Sequence, residues 1–296
     1  MKFNLLVALL GCLLAPTIAI PTTRSLQTFS NNTALSERGI PAWRFYYNDN
    51  AGQHQTNYNQ LSSTGYRMIS LSAYGQPPNH HYAAVWVQRT GYAYFAIHDA
   101  NAAQYQSFFN THAANGYVST IITATGPSNG AIFAGVMEKN GVTNWYQKCS
   151  LTHDDYIDAL IDGGGNGYIL QSFTEYGTSS DRRFCGVWYY NVEQITQPAF
   201  VDESYSDYQA TVNLVTQAPG WHPGYLAISE DHLISSAFVG ADVGSWVARH
   251  GLTASTLQTE YQTQLAAGRY IIHLQGGGTG GNINFAAIWA ERDIPI

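Results

Sequence analysis

Two rhythms of apolar residues alternate along the chain. Between Ala102 and Ala114, Tyr105, Phe108, Phe109 and His112 recur at helical spacing and predict an amphipathic helix. Gly116 suits the left-handed residue that ends such a helix, and Tyr117 opens a strand-like run to Thr125. After the loop Gly126-Pro127-Ser128-Asn129-Gly130 comes a compact strand, Phe133-Ala134-Gly135-Val136-Met137. The same strand recurs as Tyr82-Ala83-Ala84-Val85-Trp86, Phe184-Cys185-Gly186-Val187-Trp188 and Phe285-Ala286-Ala287-Ile288-Trp289. Its small central pair predicts close approach of another backbone or of the helix, where a larger side chain would clash. A third strand, seen at Trp145 to Cys149 and Trp246 to His250, leads through Leu-Thr into the next helix.

The grammar repeats along the whole chain. Gly65-Tyr66, Gly116-Tyr117, Gly167-Tyr168, Gly224-Tyr225 and Gly268-Arg269-Tyr270 each precede an apolar run, with tyrosine-to-tyrosine steps of 51, 51, 57 and 45 residues. Helix starts are marked by Asp99 as an N-cap and by Thr152 three positions before Asp155, a capping-box spacing. A unit of this length cannot close a core alone, so neighbouring copies must pack together. The predicted class is α+β: about five repeats of roughly 51 residues, each one helix plus about three antiparallel strands, stacked into a single curved or barrel-like array. The units fall at about 55–101, 102–152, 153–205, 206–254 and 255–296, and 43–54, containing Trp43-Arg44-Phe45-Tyr46, is expected to be a partial N-terminal cap.

The first residues change the picture from fold to compartment. Lys2, the apolar run Leu5 to Leu14 and the small-residue site Thr17-Ile18-Ala19 read as a secretory signal over 1–19, followed by a polar leader over 20–42 and the repeat domain over 43–296. Asn31-Asn32-Thr33 in that leader is the one N-glycosylation sequon. No later apolar run approaches the roughly 18 residues of a membrane span, so a secreted, extracellular monomer without membrane association is expected. Once Cys12 leaves with the signal, Cys149 and Cys185 remain, and an even number in an exported chain points to a disulfide, the alternative being two buried thiols. Charged residues are only 11% of the chain and the net charge is −7, with no basic cluster beyond Arg182-Arg183, so nucleic acid is not an expected partner.

The run Gly-Tyr-Arg-Met-Ile-Ser-Leu-Ser-Ala-Tyr at 65–74, the compact strand at Tyr82 to Trp86 and the Trp-to-Leu-Thr link resemble the tandem-repeat domain found in bacteria and at the N-terminus of secreted fungal polyglycine hydrolases. The resemblance spans Trp43 to Ile296. In that family the repeat domain precedes a serine β-lactamase-like domain that cuts glycine-rich linkers of plant chitinases, which implies a serine endopeptidase for a full-length relative. Its catalytic serine lies in a Ser-x-x-Lys motif, whereas here Lys139 has Val136 three before it and Lys148 has Trp145. The sequence ends where that second domain is expected to begin, so the fold is carried over and the hydrolase chemistry is not.

Other chemistry competes poorly with structural readings. Ser128 matches Gly-x-Ser-x-Gly but lies between two strands, where Asn129-Gly130 reads as a hairpin turn rather than a nucleophile elbow. His98, Cys149 and His250 occupy the same repeat position, which argues for structure. Neither His80-His81 nor His153-Asp154-Asp155 has zinc or calcium ligand spacing, so no metal and no cofactor are expected. Glu175, Glu203 and Glu230 read as solvated loop carboxylates with no converging pair, and no catalytic residue is assigned. Tyr74, Tyr176, Trp221 and His222 fall in loops that vary between units and are the candidate ligand surface. The expected function is a non-catalytic module that recognises an extracellular protein, with a glycine-rich chitinase linker as the implied example. The alternatives are the N-terminal part of an endopeptidase and a glycan-binding lectin.

Overall fold

A computed structural model describes residues 39–294. The proposed signal, most of the leader and Asn31 lie outside the described residues. Five units follow one another, each strand, helix, strand, strand. The first is β1 (Trp43–Asp49), α1 (Ala51–Ser63), β2 (Tyr66–Tyr74) and β3 (His81–Gln88). The second is β4 (Tyr94–Ala100), α2 (Ala102–Ala113), β5 (Val118–Thr125) and β6 (Ile132–Glu138), and the third β7 (Trp145–Leu151), α3 (His153–Gly165), β8 (Tyr168–Thr178) and β9 (Asp181–Tyr190). The fourth is β10 (Ala199–Glu203), α4 (Tyr205–Val215), β11 (His222–Ile228) and β12 (Ile234–Val239). The fifth is β13 (Trp246–Leu252), α5 (Ala254–Ala266), β14 (Tyr270–Gly277) and β15 (Asn284–Ala290). The α+β repeat architecture expected from the sequence is therefore the one observed.

Every sheet has three antiparallel strands, with the third strand of the unit in the middle, as in β1-β3-β2. This sets the phase of the repeat. The strand at Trp43, expected as a partial cap, pairs Trp43 with Val87 inside the first sheet, and the strand at Trp145 pairs with β9 rather than closing the preceding unit. The middle strand is the compact motif because both its faces are covered. Tyr82, Ala84 and Trp86 face one core with Met68, Leu71 and, from the next unit, Ala134 and Val136. Ala83 and Val85 face another with Leu257, Leu274 and Phe285 of the fifth unit.

Local chemistry marks each element. Asn50, Asn101, Thr152, Ser204 and Thr253 cap the five helices, all but Ser204 within a full capping box. The Thr152–Asp155 box is as expected, but the second cap is Asn101, because Asp99 is a left-handed residue at φ 53° where β4 bulges. Asn48, Ser150, Asp202 and Gly251 hold the same left-handed place in their units. The glycines that stand between each helix and its inner strand are Gly65, Gly116, Gly167, Gly220 and Gly268, all with positive φ, Gly220 following α4 after an extra turn. Gly224-Tyr225 is thus not the fourth copy of the motif. Trp221 follows the true glycine, and Tyr225 lies further along the inner strand.

The sheets stay separate and do not merge into a hydrogen-bonded barrel. Their inner strands β2, β5, β8, β11 and β14 touch in sequence, and β14 returns to β2. The array is a ring of five modules about one axis. Helices fill the outer wedges between sheets, as Tyr58 and Leu61 of α1 do against the core shared by the first and second units. Among the described residues no helix is long and apolar enough to cross a membrane.

Candidate functional site

The inner strands build the axis, and their side chains stitch the modules together. A register shift in each strand, between Met68 and Ser70 in β2, turns alternate polar residues toward the neighbouring strand. The Ser172 and Thr174 hydroxyls accept the N–H groups of Ile122 and Ala124 at 3.0 and 3.1 Å, and Thr123 accepts that of Ala73 at 2.9 Å. The same contact recurs where Leu226 N–H donates to His273 Nε2 at 3.0 Å, and where Leu274 and Gly276 donate to Ser70 and Ser72. Between β8 and β11 both acceptor places are held by side chains that accept no such bond, Tyr225 and Ala227, and there an ion cluster takes over.

In that cluster Arg182 reaches Glu175 and Asp202, each at 2.7 Å, and Asp231 at 2.6 Å. The Glu175 side chain is wholly buried and also accepts from the Ser235 hydroxyl at 3.1 Å. Burial, and then the charge of Asp202, push the Glu175 carboxyl well above its ordinary range, while Arg182 works against them. Burial opposes the Arg182 charge, but Glu175 and Asp202 outweigh it and hold the guanidinium above its ordinary value. Glu203 is 7% exposed, accepts from the Thr211 hydroxyl at 2.5 Å, and is raised by burial to about 6. The reading of Glu175 and Glu203 as solvated loop carboxylates is therefore corrected: both are strand residues whose side chains point into the packed interior. Glu230 is half-buried and borders a recess of about 20 Å³ at one end of the axis, room for about one water.

At the other end the axis opens into a cavity of about 490 Å³, within the range of small-ligand and peptide pockets. All five inner strands contribute: Ile69 and Ser70, Thr120 and Ile122, Gln171 and Ser172, Tyr225, then His273 and Gln275. Arg89, Tyr92, Glu138, Asn140 and Tyr189 also line it. Burial lowers His273 to about 4, so its ring is neutral and can accept the Leu226 N–H. Burial raises the Glu138 carboxyl, against the pull of Arg67 and Arg89. The cavity combines hydrogen-bonding groups, aromatic rings and one carboxylate without a set of groups arranged around a nucleophile.

The residues singled out from the sequence do not come together in it. Tyr74 and Tyr176 hold equivalent strand positions beside the small recess, 2% and 5% exposed. The Tyr74 hydroxyl accepts the Asn48 N–H at 2.8 Å, and that of Tyr176 lies 3.3 Å from the Ser150 hydroxyl. Trp221 packs against the core of the fourth unit, and His222 is buried with Nδ1 2.8 Å from the Pro223 carbonyl. All four thus sit in or beside strands, not on a common loop face. Cys149 and Cys185 form a disulfide between β7 and β9, with Cα atoms 4.0 Å apart. They belong to one unit rather than to consecutive ones. His98 and His250 each meet a glutamine at the same helical position of the preceding unit, Gln55 at 2.6 Å and Gln209 at 3.3 Å, which gives them a structural task. His80 Nε2 is 2.6 Å from Asp99. Ser128 hydrogen-bonds the Asp181 carboxylate in its turn.

What sequence reasoning misses is Glu138, Gln171, Tyr225 and His273 in the cavity and Arg182, Asp202 and Asp231 in the ion cluster. The available signal is substitution within the repeat. Glu175 stands where sister strands carry Ala73 and Ala124, and Glu138 where they carry Val87, Val239 and Ala290.

A family model described as polyglycine hydrolase-like, structural repeat, matches residues 40–89, 91–140, 144–191 and 243–292. These spans coincide with the first, second, third and fifth sheets, each in the order strand, helix, strand, strand. The fourth unit, which replaces the hydroxyl acceptors with Tyr225 and Ala227, lies between the matched spans.

Proposed function

The chain belongs to the polyglycine hydrolase-like structural-repeat family, and from that premise we propose that it is a secreted recognition module that holds a segment of an extracellular protein in its axial cavity. The observation that carries the reading is the cavity itself: about 490 Å³, reached from one end of the ring and lined by every module. Its lining offers the half-buried amides of Gln171 and Asn140, which suit a polypeptide backbone with its regular alternation of N–H and C=O groups. A glycine-rich segment is the natural occupant of such a site, since it presents backbone without bulky side chains. The role is binding rather than bond cleavage, because this sequence has no Ser-x-x-Lys and the cavity has no nucleophile paired with a base.

The family also supports a second reading, in which the module serves a serine endopeptidase that acts on the bound segment through another domain. The glycan-binding alternative gains nothing from Tyr74, Tyr176 and His222, which are buried rather than displayed as a flat aromatic face.

Titration of the purified protein with glycine-rich, serine-rich and mixed-sequence peptides by calorimetry tests the proposal. Saturable binding that is lost when Gln171→Trp fills the cavity is expected. A folded wild-type protein that binds none of the peptides, or a Gln171→Trp variant that binds as well as wild type, refutes it. Recovery of the protein from the culture medium of an expressing cell tests secretion.

A further inference from the structure

The five-fold repeat supplies an internal control for every position, and one position in the cavity breaks it. Val87, Glu138, Tyr189, Val239 and Ala290 are equivalent: each ends the compact strand and pairs with the start of its own inner strand, at Arg67, Val118, Ile169, His222 and Tyr270. Three of the five are apolar. Glu138 places a carboxylate there, half-buried and lining the cavity.

Among the described residues that carboxylate has no hydrogen bond and no ion pair. The cations nearest in effect are Arg67 and Arg89, of which Arg89 lines the same cavity, and each has another partner. Arg67 lies over the Tyr94 ring with its guanidinium carbon 4.5 Å from the centroid, and Arg89 pairs with Asp293 at 3.4 Å. A carboxylate partly withdrawn from water and without a protein partner gains from a cation that approaches it. Burial raises its proton affinity accordingly. Around the same space stand Tyr92, Tyr189 and Tyr225. Tyrosine faces attract cations through the ring quadrupole, more strongly where water is displaced. The net charge of −7 favours the approach of a cation to the whole molecule.

We propose that the axial cavity selects a cationic nitrogen group, an ammonium or guanidinium carried by the bound segment, with Glu138 as its counter-charge and Tyr92, Tyr189 and Tyr225 as its aromatic walls. The proposal rests on the reading of the cavity as a peptide site and adds the chemistry that chooses among peptides. Neither the family match nor the repeat pattern assigns this role to Glu138.

The test compares glycine peptides that differ only at one central residue, lysine, arginine or norleucine, all acetylated and amidated, with an all-glycine peptide bearing a free N-terminal amine as a fourth probe. Wild type is expected to bind at least one cationic probe roughly tenfold more tightly than the norleucine peptide, a preference that weakens with salt. Which probe wins identifies the source of the cation as lysine, arginine or chain terminus. Glu138→Gln is expected to remove the preference and Glu138→Asp to keep part of it, with unchanged circular dichroism and melting showing that both fold. Equal binding of cationic and norleucine peptides by wild type overturns this proposal and leaves the peptide-binding reading standing. Binding of none of the probes overturns both.

Discussion

The Ser70 hydroxyl accepts the N–H of Leu274 at 3.0 Å across 204 residues of sequence. Two positions on, Ser72 does the same for Gly276. These contacts join the last module to the first, and they copy those that join the second module to the third. Ring closure is therefore not a separate device.

Removing that closure should be felt more than a surface hydroxyl would be. Ser70→Ala leaves the buried N–H of Leu274 without its acceptor, a loss of about 1 to 3 kcal/mol. Thermal melting should show the decrease, and amide exchange should accelerate first in β14 and β2. Exchange that rises only in the loops would speak against the seam between these strands.

Gly135 marks how closely the helix and the two paired strands of one module approach. A Cβ there would lie 2.8 Å from the Ile121 carbonyl and 3.2 Å from the Tyr105 ring. Gly135→Leu should overpack this seam and destabilise by about 1 to 3 kcal/mol. The melting temperature checks it, and an unaltered value would show that the strands can separate without cost.

The buried Glu203 carboxyl makes stability depend on pH. Its proton affinity in the folded chain is raised from the ordinary 4.5 to about 6, so the native state binds the proton more tightly than the unfolded one. The resulting contribution is full below pH 4.5 and is lost as pH climbs through about 6. Glu203→Gln keeps an acceptor for Thr211 and should flatten this slope, with a gain at neutral pH of about 1 kcal/mol after allowance for solvent screening. Urea midpoints measured from pH 4 to 8 for both proteins decide it.

Arg182 faces three carboxylates, and its loss should be worse than the loss of any one of them. Arg182→Met leaves the wholly buried Glu175 beside Asp202 without a cation, at a cost of about 3 to 5 kcal/mol. Glu175→Gln, which keeps one acceptor oxygen for Arg182 and leaves no uncompensated charge, should be far milder. Paired denaturation curves test the order, and a reversed order would mean that the guanidinium is dispensable.

Much of this fold was legible because each module obeys local rules. The left-handed glycines Gly65, Gly116 and Gly167, the Thr152–Asp155 cap and the small pair Ala134-Gly135 act within or next to their own unit. The phase of the repeat was not legible, since an outer strand such as β7 is assigned by its partner β9, more than thirty residues on, and not by its own pattern. The fourth unit misled for a plainer reason: Trp221 replaces the tyrosine after Gly220, and Gly224-Tyr225 imitates the motif four residues later. The cavity escaped notice because its residues are single substitutions in otherwise apolar strands. Glu138 and His273 become visible only when the copies are laid over one another in the correct register.

A linear solenoid can gain or lose a copy at either end, but these modules meet head to tail. The angle between neighbours is fixed by contacts such as that of Ala124 with Thr174. A sixth copy would have nowhere to sit without reopening every joint, and a fourfold relative would need different wedges under its helices. Substitution can therefore vary individual modules in this architecture, as the different residues of the fourth illustrate, while geometry holds the copy number.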